Sequence, residues 1–311
     1  MAVNKNGIVV MGAVFVDIKG FPDDVYIPDG RNAGKVEYIH GGVSRNVVED
    51  IANMELRPTF LSIVDESALG DAVVRKLNNH KVNTEYIQSA PNGMGTWLAV
   101  FDNNGDLAGS ISQRPDLMPL LDVLAKKGDE IFANADSIII EVDVDKEIVK
   151  KVVELCEKHQ KKLYGVVSNM SIAVERRDFL QKFDCFICNQ LEAGMFFADD
   201  FSETAPNELA EILAKKLQLA KIPSMVVTMG GAGSVYADMK GKKGFCPAKK
   251  VQVKDTTGAG DAFCAGVSSG LTYGKTLAES VEIGTRLAAS VITSSENVCP
   301  RFLPGELGIE A

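Results

Sequence analysis

Short apolar runs rich in β-branched residues recur along the chain: Ile8 to Val16, Thr59 to Val64, Ser137 to Val142, Leu163 to Val167, Cys185 to Cys188 and Met225 to Thr228. Between them the apolar positions change period. Val43, Val47, Ile51 and Met54 form one stripe at helical spacing, Val149, Val152, Val153 and Cys156 a second, and Leu209, Ile212, Leu213 and Leu217 a third. A strand without polar alternation has both faces buried. Such strands alternating with amphipathic helices predict a mostly parallel sheet covered on both faces, a doubly wound α/β fold.

Two stretches break this rhythm. Thr96 to Ser112 alternates around Asn103, Asn104 and Gly105, which predicts an antiparallel hairpin with a tight turn, and Lys35 to His40 carries a similar polar and apolar mixture. Together they predict a small extra sheet, a lid over the site, built from segments near 13–40 and 88–114. No linker or internal repeat divides the chain, so residues 1–311 read as one domain with an excursion.

Composition narrows the class. With 311 residues, 46% of them hydrophobic, the chain can bury a core without disulfides or metal, which argues against intrinsic disorder. Its 42 acidic and 33 basic residues give a net charge of -9 with no basic block, which argues against nucleic acid or an anionic membrane as the main partner. Ile8 to Val16 is too short to span a bilayer, and the scattered cysteines suit a reduced cytoplasm.

The most informative segment is DTTGAGDAF at Asp255 to Phe263, a glycine loop feeding a helix. Gly258 and Gly260 allow a tight turn that exposes backbone N–H groups, and the helix N-terminus adds partial positive charge, so an anion such as a phosphate belongs there. Asp261 either accepts a proton from an attacking hydroxyl beside that anion or simply caps the helix. GGVSRN at Gly41 to Asn46 opens the first striped helix and reads as a site for sugar hydroxyls or as a turn with a cap. TMGGAG at Thr228 to Gly233 follows an apolar strand, where it borders a ligand at the carboxyl edge of the sheet or makes a hairpin turn.

Other chemistries fail on spacing. GLTYGKT at Gly270 to Thr276 has one residue too few between its glycines for a P-loop, and no GxGxxG follows the first strand, which disfavours a nicotinamide-dependent oxidoreductase. Cys185 and Cys188 fall on opposite faces of a strand, and His40, His80 and His159 lack zinc-site spacing.

Taken together these segments resemble the PfkB or ribokinase family of ATP-dependent sugar and nucleoside kinases over essentially the whole chain. DTTGAGDAF and GGVSRN match the family's two signatures in order, NQLE at Asn189 to Glu192 looks like its NxxE element, and TMGGAG resembles its TxGxxG segment. The resemblance implies a ribokinase-like fold with a small β lid and phosphoryl transfer from ATP to a primary hydroxyl. It implies that Asp261 is the general base and that the amides of Gly258, Ala259 and Gly260 form an anion hole. Asn189 and Glu192 would help to hold Mg²⁺ through water, and Thr228, Gly230 and Gly233 would border the nucleotide. Asp17, Gly41, Gly42, Asn46 and Glu141 would meet the substrate. Asp255 and Thr257 resemble positions beside a monovalent cation, K⁺, in some members.

GGVSRN with Arg45, NAGK at Asn32 to Lys35 and SENVCP at Ser295 to Pro300 look most like pseudouridine kinases, which makes the 5'-hydroxyl of pseudouridine the expected acceptor. Arg45 reads either as a contact to a base or a carbonyl or as a solvated helix residue. The alternatives are a kinase for ribose or fructose, or a nucleotide-binding relative without turnover. Lid strands in this family often pair between subunits, which implies a homodimer.

Overall fold

The computed structural model describes residues 7–310, and in it the apolar run Ile8 to Val16 serves two sheets. Ile8–Met11 (β1) lies inside a large sheet, and after a break the chain re-enters as Phe15–Pro22 (β2) in a smaller one. Gly12 stands at the break because a Cβ there would overlap Glu141 Oε2 and Ser44 Oγ. The Ala13 N–H then donates to Glu141 Oε2 at 2.6 Å, so the turn is wrapped around one buried carboxyl group.

The chain continues through β3 (Gly34–Gly41), α1 (Val43–Asn53), β4 (Thr59–Leu61), β5 (Ile63–Val64), α2 (Ala68–Asn79), β6 (Gln88–Ser89), β7 (Gly95–Phe101) and β8 (Leu107–Gln113). The middle third holds α3 (Leu120–Asn134), β9 (Ser137–Glu141), α4 (Lys146–His159), β10 (Lys162–Val166), α5 (Met170–Ala173), α6 (Arg177–Leu180) and β11 (Cys185–Asn189). It closes with α7 (Gln190–Phe197), α8 (Pro206–Ala220), β12 (Ser224–Thr228), β13 (Gly233–Asp238), β14 (Lys243–Pro247), α9 (Ala259–Thr272) and α10 (Leu277–Val291).

The large sheet has eight strands in the order β14-β13-β12-β11-β10-β9-β1-β4, parallel from β4 to β12 and antiparallel at the β13 and β14 edge. Period-two alternation splits its residues between two cores. Val9, Met11, Ile138, Ile140, Phe186 and Cys188 pack on the side of α3, α4 and α8. Ile8, Val10, Ile139, Cys185 and Ile187 pack on the side of α1, α9 and α10. Cys185 and Cys188 therefore face opposite cores, and each buried Ile or Phe in these layers is worth roughly 1.5–3 kcal/mol.

The second sheet, β3-β2-β7-β8, is the extra sheet expected from the alternating stretches. Its β7–β8 hairpin turns at Asn103, Asn104 and Gly105, with Gly105 at a φ of 86°. Among the described residues no helix is long and apolar enough to cross a membrane.

Candidate active site

The N-termini of α1 and α9 converge at the carboxyl edge of the parallel strands, where ligands bind in open α/β sheets. Asp255 Oδ1 accepts from the Thr257 N–H at 2.9 Å and the Thr257 hydroxyl at 2.8 Å, and these bonds hold the Asp255 carboxyl below the usual carboxylate range. Gly258 follows as the N-cap of α9 with a φ of 79°, and a Cβ there would overlap the carbonyl of Asn297. No side chain caps this helix, so its first turn offers backbone N–H groups and the positive end of the helix dipole to an anion. Gly260 borders open space. Of the expected anion-hole amides, that of Ala259 is turned inward and donates to the Thr256 carbonyl at 3.2 Å, because the tight turn before the helix needs this bond.

Asp261 lies in the first turn of α9 and does not act as its cap. Its Oδ2 accepts from Asn46 Nδ2 at 2.6 Å, which joins the two signature motifs across 215 residues. Burial pushes the Asp261 carboxyl up to about 7, against the pull of the Asn46 hydrogen bond and the Arg45 charge, while Glu192 and Asp17 push it further up. A carboxylate with one oxygen held, the other available, and a pKa near neutrality is suited to accept a proton from a hydroxyl.

The acceptor side is assembled around that group. A Cβ on Gly41 would lie 2.8 Å from Asp17 Oδ2, so the glycine leaves room for the carboxylate, and Gly42 is the N-cap of α1. Burial raises the Asp17 pKa while the charges of Lys19 and Arg45 lower it. Glu141, at the end of β9, is buried and pushed up to about 8 by desolvation and by the neighbouring Asp143 charge. Beside it is a cavity of about 140 Å³ lined by Ala13, Phe15, Arg114 and Leu117. Arg114, just past β8, donates to the Asp143 carbonyl at 3.0 Å and to its Oδ2 at 3.1 Å, which ties the end of the lid hairpin to the large sheet.

Arg45 departs from the solvated reading, and the carbonyls it contacts belong to the chain itself. It is 1% exposed, paired with Glu49 one helical turn on, and donates to the backbone carbonyls of His40 and Gly41. Its guanidinium is committed inside the fold, where it braces the entry to α1, and forms no solvated helix surface. The Arg45 to Glu49 spacing was a visible i, i+4 signal for this role.

Asn189 and Glu192 form a capping box at the start of α7. Asn189 Oδ1 accepts from the Glu192 N–H at 2.8 Å, and Glu192 Oε2 accepts from the Asn189 N–H at 2.7 Å. Glu192 is half-buried, its pKa is raised by desolvation, and its charge is felt by Asp261. Thr228 to Gly233 is a hairpin turn: Thr228 pairs with Ser234, and the Met229 N–H donates to the Gly233 carbonyl at 2.8 Å. Gly230 and Gly233 both have positive φ. An open cleft of about 950 Å³ runs from Asn189 along α7 to Thr228 and Gly230.

Beside Asp17, the lid adds Lys19, Phe21, Trp97 and Phe101, which sequence reasoning passed over. Asp17, Lys19 and Phe21 alternate onto one face of β2, across from Trp97, Ala99 and Phe101 of β7. Phe21 stacks on Phe101 with centroids 4.9 Å apart, Trp97 meets Phe101 edge-on at 6.5 Å, and Lys19 Nζ lies 6.0 Å from the Trp97 ring. This face looks onto the loop from Asp255 to Asp261, since the Lys19 charge lowers the Asp255 carboxyl and the Asp17 charge raises that of Asp261. The period-two pattern Asp17, Lys19, Phe21 was readable, but its pairing with β7 was not.

An open α/β sheet with an uncapped glycine-bracketed helix N-terminus, a near-neutral carboxylate in its first turn and a small β lid is the arrangement of a small-molecule kinase. The chain belongs to the pfkB family of carbohydrate kinases, whose family model matches residues 5–299. It is 35% identical over 294 residues to the guanosine-inosine kinase of Exiguobacterium acetylicum, an alignment that covers 94% of this chain and 96% of the relative. It is 25% identical over 279 residues to the pseudouridine kinase of Escherichia coli K12, covering 89% and 87%. The fold matches that of Arabidopsis thaliana ribokinase complexed with ribose and ATP at a TM-score of 0.84 and 19% identity, over 97% of this chain and 98% of that one.

Proposed function

We propose that this kinase transfers the γ-phosphoryl group of ATP to the 5'-hydroxyl of a nucleoside, with guanosine or inosine ahead of pseudouridine as acceptor. The observation that carries the nucleoside reading is the aromatic row Phe21, Phe101 and Trp97 on the lid face that also carries Asp17. A ribose held at Asp17 and Asn46 would extend its base toward that row, and stacking on an aromatic side chain contributes about 1–3 kcal/mol. The purine preference draws on the 35% identity to a guanosine-inosine kinase against 25% to a pseudouridine kinase. It reorders the pseudouridine expectation, part of whose motif, Arg45, turns out to face Glu49.

In this reading Asp261 takes the proton from the 5'-hydroxyl as that oxygen bonds to the γ-phosphorus and the bond to the β-phosphate oxygen breaks, releasing ADP. The Asn46 amide holds the second oxygen of Asp261 away from the substrate. The amides of Gly258 and Gly260 and the α9 N-terminus receive charge on the transferring group. Glu192, half-buried beside Asp261 with one oxygen outside the capping box, fits a Mg²⁺ ion bound through water to the nucleotide phosphates, where the ion would neutralise phosphate charge. Asp17 and Glu141 accept hydrogen bonds from ribose hydroxyls.

The outer face of the lid supports a homodimer. Tyr38 and Ile111 are 61% and 70% exposed there and flank Ile18 and Leu98 in one cross-strand row. Light scattering of the purified chain tests this, and a monomer at micromolar concentration overturns it.

The functional reading is tested by incubating the protein with Mg-ATP and guanosine, inosine, adenosine, pseudouridine, ribose and fructose and following ADP release and the 5'-monophosphate. Turnover of guanosine or inosine at least tenfold faster than of ribose is expected. A clear preference for ribose or fructose overturns the nucleoside reading, and ATP binding without any product would return the chain to a binding role.

A further inference from the structure

The segment after α10 has no role in the reaction described above, yet one of its side chains reaches the centre of the site. Asn297 is 9% exposed, and its Nδ2 donates to the His40 carbonyl at 3.0 Å and to Asn46 Oδ1 at 3.3 Å. Asn46 in turn donates through Nδ2 to Asp261 Oδ2. The Asn297 carbonyl also packs against Gly258 at the space a Cβ would need. One residue therefore touches the root of the lid at the end of β3, the substrate helix and the catalytic loop.

The segment is held from behind by α1. The Cys299 N–H donates to Asp50 Oδ1 at 2.6 Å, Asn53 Nδ2 donates to the Cys299 carbonyl at 2.7 Å, and the Phe302 N–H donates to the Asn53 carbonyl at 2.8 Å. Asn46, Asp50 and Asn53 lie on one face of the helix at i, i+4 and i+7 spacing. Asp50 is buried, and this clasp pairs its Oδ1, while among the described residues its Oδ2 has no hydrogen-bond partner.

We propose that Asn297 is a positioning residue that fixes the orientation of the Asn46 carboxamide and thereby holds Asp261 as a proton acceptor. A primary amide has an oxygen that accepts and a nitrogen that donates. With the Asn297 donor against Asn46 Oδ1, the Asn46 NH₂ must face Asp261. Without that donor the Asn46 amide is free to turn over and present its oxygen to the Asp261 carboxylate. Two acceptors in contact repel and favour the protonated acid, which cannot act as a base. The inference rests on the reading of Asp261 as the base, and the test separates the two.

The test measures the pH dependence of kcat with saturating Mg-ATP and the best nucleoside for the parent, Asn297→Ala, Asn297→Ser and Asn297→Asp. Val298→Ala, a buried apolar neighbour 6% exposed, serves as the packing control, and melting confirms folding of each. Asn297→Ala and Asn297→Asp should lose about tenfold or more in kcat at pH 7, with the acid limb moved to higher pH by about 0.5–1 unit and activity partly recovered above it. Asn297→Ser keeps a donor and should lie between them and the parent. A merely structural role would lower stability and leave the limb in place, as expected for Val298→Ala. A folded Asn297→Ala variant with kcat within about threefold of the parent and an unmoved limb overturns the proposal, as does an equal limb shift in Val298→Ala. Full activity in Asp261→Asn, run alongside, would instead remove the base assignment beneath it.

Discussion

At the proposed phosphate end of the site the available groups are backbone amides at the uncapped start of α9, with open space beside Gly260. The proposed acceptor end is made from side chains, Asp17, Asn46, Glu141 and Asp261, delivered by β2, α1, β9 and α9. In the proposed reading the contrast explains how a chain of net charge -9 would handle a triphosphate: the anion would be met by dipoles absent from any count of lysines and arginines. The titration of the acceptor end follows its burial, which pushes the Asp17, Glu141 and Asp261 carboxyl groups up, against the pull of Lys19 and Arg45 at Asp17 and of Arg45 at Asp261. One end should therefore fail when a glycine gains a side chain, the other when a side chain loses its charge.

The largest break is expected at the junction of the two. Gly258→Ala places a Cβ on the Asn297 carbonyl at a left-handed φ of 79°, so the loop or the C-terminal segment must move. A loss of about 2–4 kcal/mol in denaturant unfolding, with activity down by about 100-fold, is expected. Asp17→Asn removes a charged acceptor without changing shape and should raise the nucleoside KM by about 10- to 100-fold with the ATP KM unchanged. A matching rise in both constants would merge the two ends that the structure separates.

Smaller effects sharpen the acceptor side. Trp97→Ala should raise the KM for guanosine by about tenfold and leave turnover of ribose unchanged, since only the base has a ring to stack. Glu141→Gln concerns stability. The folded Glu141 carboxyl is raised from 4.5 to about 8, so the native state binds more protons than the unfolded chain within that window. Stability must fall as pH rises through it, and the permanently neutral Gln escapes the fall. The Glu141→Gln melting temperature should exceed that of the parent by a margin that widens from pH 5 to pH 8.5; a constant margin would remove burial of the charge as the cause.

How much of this was legible depended on how local its causes are. The parallel strands of the large sheet, β1, β4, β9, β10, β11 and β12, and the β7–β8 hairpin were readable because apolar continuity and an Asn-Asn-Gly turn act within a few residues, whereas β14 gave no such run. The division of Ile8 to Val16 was not, because the reason for Gly12 is Glu141, which arrives much later in the chain. The two signature motifs were visible as loops before helices, but the Asn46 to Asp261 bond spans 215 residues and exists only in the fold. Arg45 was misread although Glu49 stood one turn away, and the inward amide of Ala259 reflects a turn geometry that residue identity does not encode. Asn297 lay inside a segment singled out only by resemblance, and its function as a joint depends on three elements meeting.

The most direct test of the account is Asp261→Asn, which keeps the shape of the side chain and removes its ability to take a proton. With guanosine or inosine as acceptor at pH 7.5, kcat should fall by about 10²–10⁴-fold while ATP affinity measured by calorimetry stays within about threefold of the parent. Retention of kcat within about tenfold, in a folded protein that still binds ATP, would contradict the assignment of Asp261 and the acceptor site built around it.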